Sequence, residues 1–131
     1  MKFMLLMQGT QAGWESMGTW APTEIQAHIR FMQKLYDELK ASGELLLAEG
    51  LDVPANARIV RAQQPDAPVV TDGPFAEAKE FLAGFWLVDC ATAQRALEIA
   101  ARASTAPGAG GAPMGIPIEV RRVPNPPDVG T

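Results

Sequence analysis

Apolar residues recur along the chain with two different patterns, one typical of strands and one typical of helices. Residues 2–7 and 82–88 are short, mainly apolar runs beside turn-forming residues, as expected of strands. Residues 44–51 contain three successive leucines, and residues 116–123 alternate apolar and polar side chains, as in a strand with one apolar face. We therefore predict four strands.

Two other segments have the three- and four-residue spacing of amphipathic helices. Residues 23–26 have the form of a capping box, so a helix is predicted over residues 24–42, with Gly43 as the left-handed residue that ends it. A second helix is predicted from Thr92, a suitable N-cap, to about residue 103. Each helix lies between two of the predicted strands.

The remaining segments are rich in turn-forming residues or lack a period. Residues 10–21 contain Trp14 and Trp20 without a regular spacing, so we expect an ordered loop that the two indoles pack down. Three further elements are expected: a hairpin of residues 58–61 and 69–71, one or two helical turns at residues 76–80, and an aperiodic connection at residues 107–117.

The order strand, helix, strand, hairpin, strand, helix, strand predicts a ferredoxin-like βαββαβ α+β fold. Residues 1–123 would form a single domain, with helices on one face of an antiparallel sheet, and residues 124–131 a flexible tail. Residues 2–7 and 82–88 are apolar on both strand faces, so the face without helices needs a cover. A second copy is the simplest cover, which predicts a homodimer.

Composition excludes several classes of protein. The 131 residues are 47% apolar and 20% charged, as in soluble globular proteins, and the net charge of −4 argues against a nucleic-acid partner. The apolar run at residues 2–7 is too short for a signal peptide or a membrane span, so we predict a cytoplasmic protein without a membrane partner. Cys90 and His28, the only residues of their types, predict no disulfide, no metal and no bound cofactor.

Three motifs carry a resemblance to a known family. They are VVTDGPFAEAKE at residues 69–80, GFWLVD at residues 84–89 and IEVR at residues 118–121. Together they resemble the YCII-related proteins of the DGPF type over residues 2–123. The resemblance implies a ferredoxin-like domain that dimerises face to face into an α+β barrel. It also implies a bacterial protein of unknown function, often encoded beside extracytoplasmic-function sigma factors, whose distant relatives include lyases, isomerases and cofactor-free oxygenases.

Asp72 and His28 are the candidate catalytic residues. Asp72 lies in a tight turn at a strand end, where a carboxylate acts either as an acid or base or as a cap for the backbone amides of residues 75–78. His28 shares the sheet-facing side of its helix with Ile25 and Met32, where it is either a core residue or a functional one. The resemblance implies a histidine–aspartate pair, and in this chain that pair would be His28 with Asp72.

Three further residues are candidates for substrate binding. Glu119 and Arg121 alternate with the apolar residues of the last strand, so both are expected to face the space between the two sheets of the dimer. Arg121 would either grip a carboxylate substrate or form an ion pair with Glu119 or Glu49. Trp86 would line the same cleft or belong to the core.

Two functions follow from these residues. The first is a cofactor-independent lyase or isomerase that acts on a small molecule in the dimer cleft. The second is a non-catalytic module that senses a ligand or contacts a sigma factor or another protein. Asp72 buried and bonded to backbone would favour the second, whereas Asp72 and Arg121 exposed in one pocket would favour the first.

Overall fold

A computed structural model describes residues 1–73, 79–127 and 130 of the chain. Within these residues the strands are β1 (Lys2–Thr10), β2 (Leu45–Gly50), β3 (Arg58–Arg61), β4 (Val69–Asp72), β5 (Glu80–Asp89) and β6 (Ile118–Val123). The helices are α1 (Gln11–Met17), α2 (Pro22–Ser42) and α3 (Ala93–Ser104), and short 3-10 turns occupy Pro54–Asn56 and Ala109–Gly111.

The main sheet has four antiparallel strands in the order β2-β5-β1-β6. With α2 between β1 and β2, and α3 between β5 and β6, this is the predicted ferredoxin-like α+β fold. The predicted hairpin is also confirmed, because β3 and β4 pair as a separate two-stranded sheet. Along the chain, this hairpin lies between β2 and β5.

The core lies between one face of the main sheet and the helices α2 and α3. Alternate residues of the central strand β1, such as Phe3 and Leu5, face this core, whereas Met4 and Leu6 face the other side of the sheet. Five large side chains are fully buried: Leu5, Leu35, Leu39, Val88 and Ile99. We call the side of the sheet without helices the outer face.

Helix α2 has 21 residues and ends where the sequence predicts. Gly43 follows it with a φ of 79°, in the left-handed region that favours glycine. Its start differs from the prediction, because Ala21 rather than Thr23 is the N-cap and Pro22 is the first helical residue. Proline fits there because the first helical amide has no partner within the helix. No helix of the described residues is long and apolar enough to cross a membrane.

The prediction of a loop at residues 10–21 is wrong, since Gln11–Met17 form helix α1. The Thr10 hydroxyl caps this helix by accepting a hydrogen bond of 3.0 Å from the Gly13 amide. The helix buries none of its residues, and Trp14 is 42% exposed. A helix that packs so little surface into the core lacks the apolar period by which helices are recognised in a sequence.

Three expectations lie wholly or partly outside the described residues. Of the helical turns expected at residues 76–80, residues 76–78 are outside the described part of the chain, and Glu80 already belongs to β5. The backbone amides that Asp72 was expected to cap, at residues 75–78, are likewise outside the described part of the chain. In the expected tail, residues 128, 129 and 131 are outside it too.

An ion pair joins α3 to the start of β2. The Arg95 guanidinium donates hydrogen bonds of 2.9 and 3.0 Å to the two carboxylate oxygens of Glu44. The Ser42 hydroxyl donates a third, of 2.9 Å. The pairing with Arg95 is the largest cause that lowers the pKa of Glu44 below its ordinary value of 4.5.

The lowered pKa of Glu44 predicts part of the acid sensitivity of the fold. A carboxyl group with a lower pKa in the folded state stabilises the protein above its ordinary value of 4.5, and this contribution is lost as the pH falls through the lowered value. We expect Glu44→Gln to flatten the acid side of a plot of unfolding free energy against pH. Glu15→Gln, an exposed change on α1, is the matched control and should keep the wild-type slope. Identical acid slopes for wild type and Glu44→Gln would contradict this role.

Candidate functional site

A groove of about 640 Å³ lies on the helix side of the main sheet. Helix α2 forms one wall, α1 and residues 114–117 form others, and β1, β2 and β5 supply the floor. Four of the six methionines of the chain line it, together with aromatic side chains that include Trp14, Tyr36, Phe81 and Trp86. Because thioether side chains are flexible and polarisable, such a lining adapts to apolar ligands of different shape.

Small residues on the strands create the space beneath α2. Ala48 and Gly84 line the groove where other residues of the same strands fill the core. A Cβ atom added to Gly84 would lie 2.9 Å from the carbonyl oxygen of Glu49, so glycine at this position lets β2 and β5 pair closely. The apolar rim stays accessible, since Ile29 is 59% exposed. An exposed apolar rim around a concave floor is typical of a ligand site.

His28 is the histidine of the groove and is half-buried in its wall. Its Nδ1 lies 3.0 Å from the carbonyl oxygen of Pro107, and its ring makes a T-shaped contact with the Trp20 indole, with ring centroids 5.8 Å apart. A carbonyl oxygen only accepts hydrogen bonds, so Nδ1 is the donor of this bond, and Nε2 is the acceptor nitrogen whenever the ring is neutral. Nε2 then keeps its lone pair and has no hydrogen-bond partner among the described residues.

The charge of the groove wall is low. Glu49 is the one charged residue among the described residues that line it, and no lysine or arginine is present there. The lining therefore offers no cation to a carboxylate or phosphate ligand. Its electrostatics therefore disfavour an anionic molecule.

Trp86 lines this groove as well as belonging to the core. It is 5% exposed, and its indole Nε1 donates a hydrogen bond of 3.3 Å to the sulfur of Met7. The register of the sheet places Trp86 opposite Leu5, on the helix side. It therefore faces away from the outer face on which the predicted cleft between two sheets would lie.

Arg121 and Glu119 lie on the outer face, as their alternation in β6 predicts. Their partners in β1 are Met4 and Leu6, whose side chains also face outward. The Nε atom of Arg121 is 3.8 Å from a carboxylate oxygen of Glu119, and their side chains are 71% and 52% exposed. An ion pair with Glu119 was one of the two roles predicted for Arg121, the other being the binding of a carboxylate substrate. Neither Arg121 nor Glu119 lines the groove.

Asp72 is exposed at the end of the β3–β4 hairpin. Its side chain is 91% accessible, and one carboxylate oxygen lies 3.5 Å from the guanidinium of Arg58 on the paired strand. It does not line the groove that contains His28. Asp72 is therefore neither buried nor in one pocket with Arg121, so neither arrangement that would separate the two functional hypotheses is found.

The methionines of the groove are not predicted as site residues from the sequence. Met7, Met17, Met32 and Met114 lie on four different segments, and each alone is an ordinary apolar residue. The available signal was their number, six in a chain of 131 residues. That number does not indicate which of them share a site, because only the tertiary fold brings the segments together.

Comparison with known proteins identifies the family of this chain. The family model described as "YCII-related domain" matches residues 1–112. The "Uncharacterized protein R00369" of Rhizobium meliloti (strain 1021) is 34% identical over 87 residues, which cover 66% of this chain and 69% of that protein. The family resemblance inferred from the sequence motifs is confirmed. The chain belongs to the YCII-related family.

Proposed function

We propose that the groove binds a small, uncharged, largely apolar molecule whose hydroxyl or N–H group donates a hydrogen bond to Nε2 of His28. The observation that carries this proposal is the half-buried His28 in an apolar wall, with Nδ1 already bonded to Pro107. The volume of about 640 Å³ is within the range of about 300 to 1,000 Å³ typical of small-molecule sites. A few polar groups in an apolar pocket commonly set ligand orientation.

A second function, proton transfer without a cofactor, is favoured by the same nitrogen. A neutral imidazole held through Nδ1 presents Nε2 as a base, and histidine is the side chain best suited to exchange protons near neutral pH. In this function His28 would remove a proton from the bound molecule and return it at another atom, as in an isomerase or lyase. Asp72 is not required, since it lies on the hairpin and not in the groove.

Three related probes test the ligand class by thermal shift. 2-Naphthol is uncharged and carries a hydroxyl donor, 2-naphthoate is an anion of similar size, and naphthalene lacks the polar group. We expect 2-naphthol to raise the melting temperature most, because the groove lacks a cationic side chain and His28 accepts a hydrogen bond. Stronger stabilisation by 2-naphthoate would contradict the proposal.

Two substitutions of His28 distinguish the roles of its two ring nitrogens. Asparagine places its amide near the position of Nδ1 and lacks an acceptor at Nε2, whereas glutamine places an amide oxygen near Nε2. We expect His28→Asn to weaken 2-naphthol binding about tenfold, the effect of one lost hydrogen bond, while His28→Gln binds nearly as wild type. Equal binding by all three proteins in calorimetric titrations would show that Nε2 does not contact the ligand.

The same pair of variants distinguishes binding from catalysis. If a substrate found in a metabolite screen is turned over, His28→Gln should bind it and yet lose turnover, because an amide does not exchange the proton. If the protein only binds its ligand, no metabolite of the screen is converted and His28→Gln retains the wild-type affinity. Turnover retained in His28→Gln would remove His28 from the catalytic role.

We also propose that the outer face is covered by a second copy of the chain. Met4, Leu6 and Leu87 form an apolar stripe across the two central strands of this face, and no helix packs on it in the described residues. Two such faces packed together would form the barrel that the family resemblance implies. Contact with a sigma factor and a cytoplasmic location remain predictions from the sequence.

A further inference from the structure

Two residues of α2, one helical turn apart, hold the same loop. Glu24 and His28 are separated by four positions and therefore lie on one side of the helix. A carboxylate oxygen of Glu24 accepts a hydrogen bond from the Gly110 amide, and Nδ1 of His28 bonds the carbonyl oxygen of Pro107. The segment at residues 107–113 is thus attached to α2 at both points.

The loop is internally bonded, so its two attachment points are coupled. The Gly108 amide donates to the carbonyl of Ala112 at 2.8 Å, and the Gly111 amide donates to Gly108 at 3.0 Å. Pro107 and Pro113 also form an isolated β-bridge across the base of the loop. A shift at Gly110 is therefore transmitted to the Pro107 carbonyl.

Both carboxylate oxygens of Glu24 are occupied. One accepts a hydrogen bond of 2.8 Å from the Ala21 amide at the start of α2, and the other accepts from Gly110. These two backbone hydrogen bonds lower the pKa of Glu24, so the group is ionised at neutral pH and both bonds are charge-assisted. Glutamine has a single acceptor oxygen and satisfies only one of these amides.

We infer that Glu24 is a positioning residue for His28. By holding Gly110, it fixes the loop so that the Pro107 carbonyl keeps the His28 proton on Nδ1 and leaves Nε2 free to accept a hydrogen bond. This inference rests on the proposed function of His28 in the groove. It assigns to Glu24 a role in the chemistry of the site without contact with the ligand.

Other contacts confine the expected effect to this loop. The next residues of the chain are anchored elsewhere, since the Met114 amide donates to Ala106 at 2.9 Å and the Gln8 amide donates to Pro117 at 3.1 Å. Loss of the Glu24 contact would therefore release the loop without detaching the groove wall at residues 114–117. The tautomer of His28 should change while the fold remains.

The single histidine of the chain makes this tautomer directly measurable by ¹⁵N NMR. In spectra recorded at about pH 8.5, the shifts of its two nitrogens report which one is protonated. We expect the ratio of Nε2–H to Nδ1–H rings to rise about fivefold in Glu24→Ala, the effect of weakening one hydrogen bond, and less in Glu24→Gln. Glu38→Ala is the matched control, because it removes an ion pair with Arg102 from the same helix and should leave the ratio unchanged.

An unchanged tautomer ratio in folded Glu24→Ala would overturn the inference. If that variant does not fold, hydrogen exchange of the wild-type Gly110 amide is the deciding measurement, and an amide that exchanges as fast as an unprotected one would overturn the inference. Titration with 2-naphthol separates this inference from the proposed function. A shifted ratio with unchanged 2-naphthol affinity supports the role of Glu24 and contradicts the role of Nε2 in binding, whereas an unshifted ratio contradicts the role of Glu24 alone.

Discussion

Replacing Leu87 by glutamate is expected to convert a dimer of this chain into a folded monomer. Leu87 lies on the central strand β5, and its register partners on the outer face are Met4 and Leu47. In the proposed dimer the substitution would bury an unpaired carboxylate once in each copy, at a cost of several kcal/mol that weakens association at least about a hundredfold. Light scattering at micromolar concentration should then show a single species of 14.0 kDa.

Leu97→Glu is the matched control for this prediction. Leu97 is 51% exposed on α3, which packs on the opposite side of the sheet, so the same substitution there should leave the dimer intact. Far-UV circular dichroism of both variants shows whether the fold is kept. A wild-type protein that is itself a lone 14.0 kDa species would contradict the dimer, as would a dimer that tolerates Leu87→Glu.

Replacing Ile99 by alanine is expected to lower the free energy of unfolding by about 2 to 5 kcal/mol. Ile99 is fully buried in the core between α3 and the sheet, in one cluster with Leu5 and Val88. The substitution removes apolar contacts and leaves a cavity that the packed neighbours only partly fill. Urea denaturation followed by circular dichroism measures the loss.

The neighbouring residue Leu97 again supplies the comparison. It lies on the same helix two positions earlier and is 51% exposed, so Leu97→Ala should change the unfolding free energy by only about 0.5 kcal/mol or less. Alanine has a higher helix propensity than leucine or isoleucine, so propensity does not account for a loss of stability at either position. Equal losses at the two positions would mean that the core is not where the structure places it.

Most of the fold could be predicted from local patterns of apolar residues, because most helices and strands bury one face and their apolar residues therefore repeat with the period of that element. β5 and α3 each carry a buried face, and their residues repeat with the period of a strand and a helix. Helix α1 has no buried residue, so it left no period and was predicted as a loop. The Thr10 cap was not predicted either, because a threonine marks a helix start only when a helical pattern of apolar residues follows it.

The candidate site was only partly predictable, because its members meet through register and long-range packing. The spacing of His28 and Met32 placed both on the sheet-facing side of α2, and both line the groove. Trp86 and Arg121 lie on different strands, and only the register shows that Trp86 stands opposite Leu5 while Arg121 stands opposite Met4. Neighbouring residues of β1 face opposite sides, so no local pattern reveals this separation.

All three tryptophans of the chain lie at the groove. Trp14 and Trp86 line it, and Trp20 contacts the ring of His28. Indole emission depends on the polarity around the ring, and Trp14 at the rim is 42% exposed whereas Trp86 on the floor is 5% exposed. A ligand that fills the groove would therefore change the surroundings of Trp14 more than those of Trp86. The intrinsic tryptophan fluorescence of the unlabelled protein should therefore report whether a ligand occupies the groove.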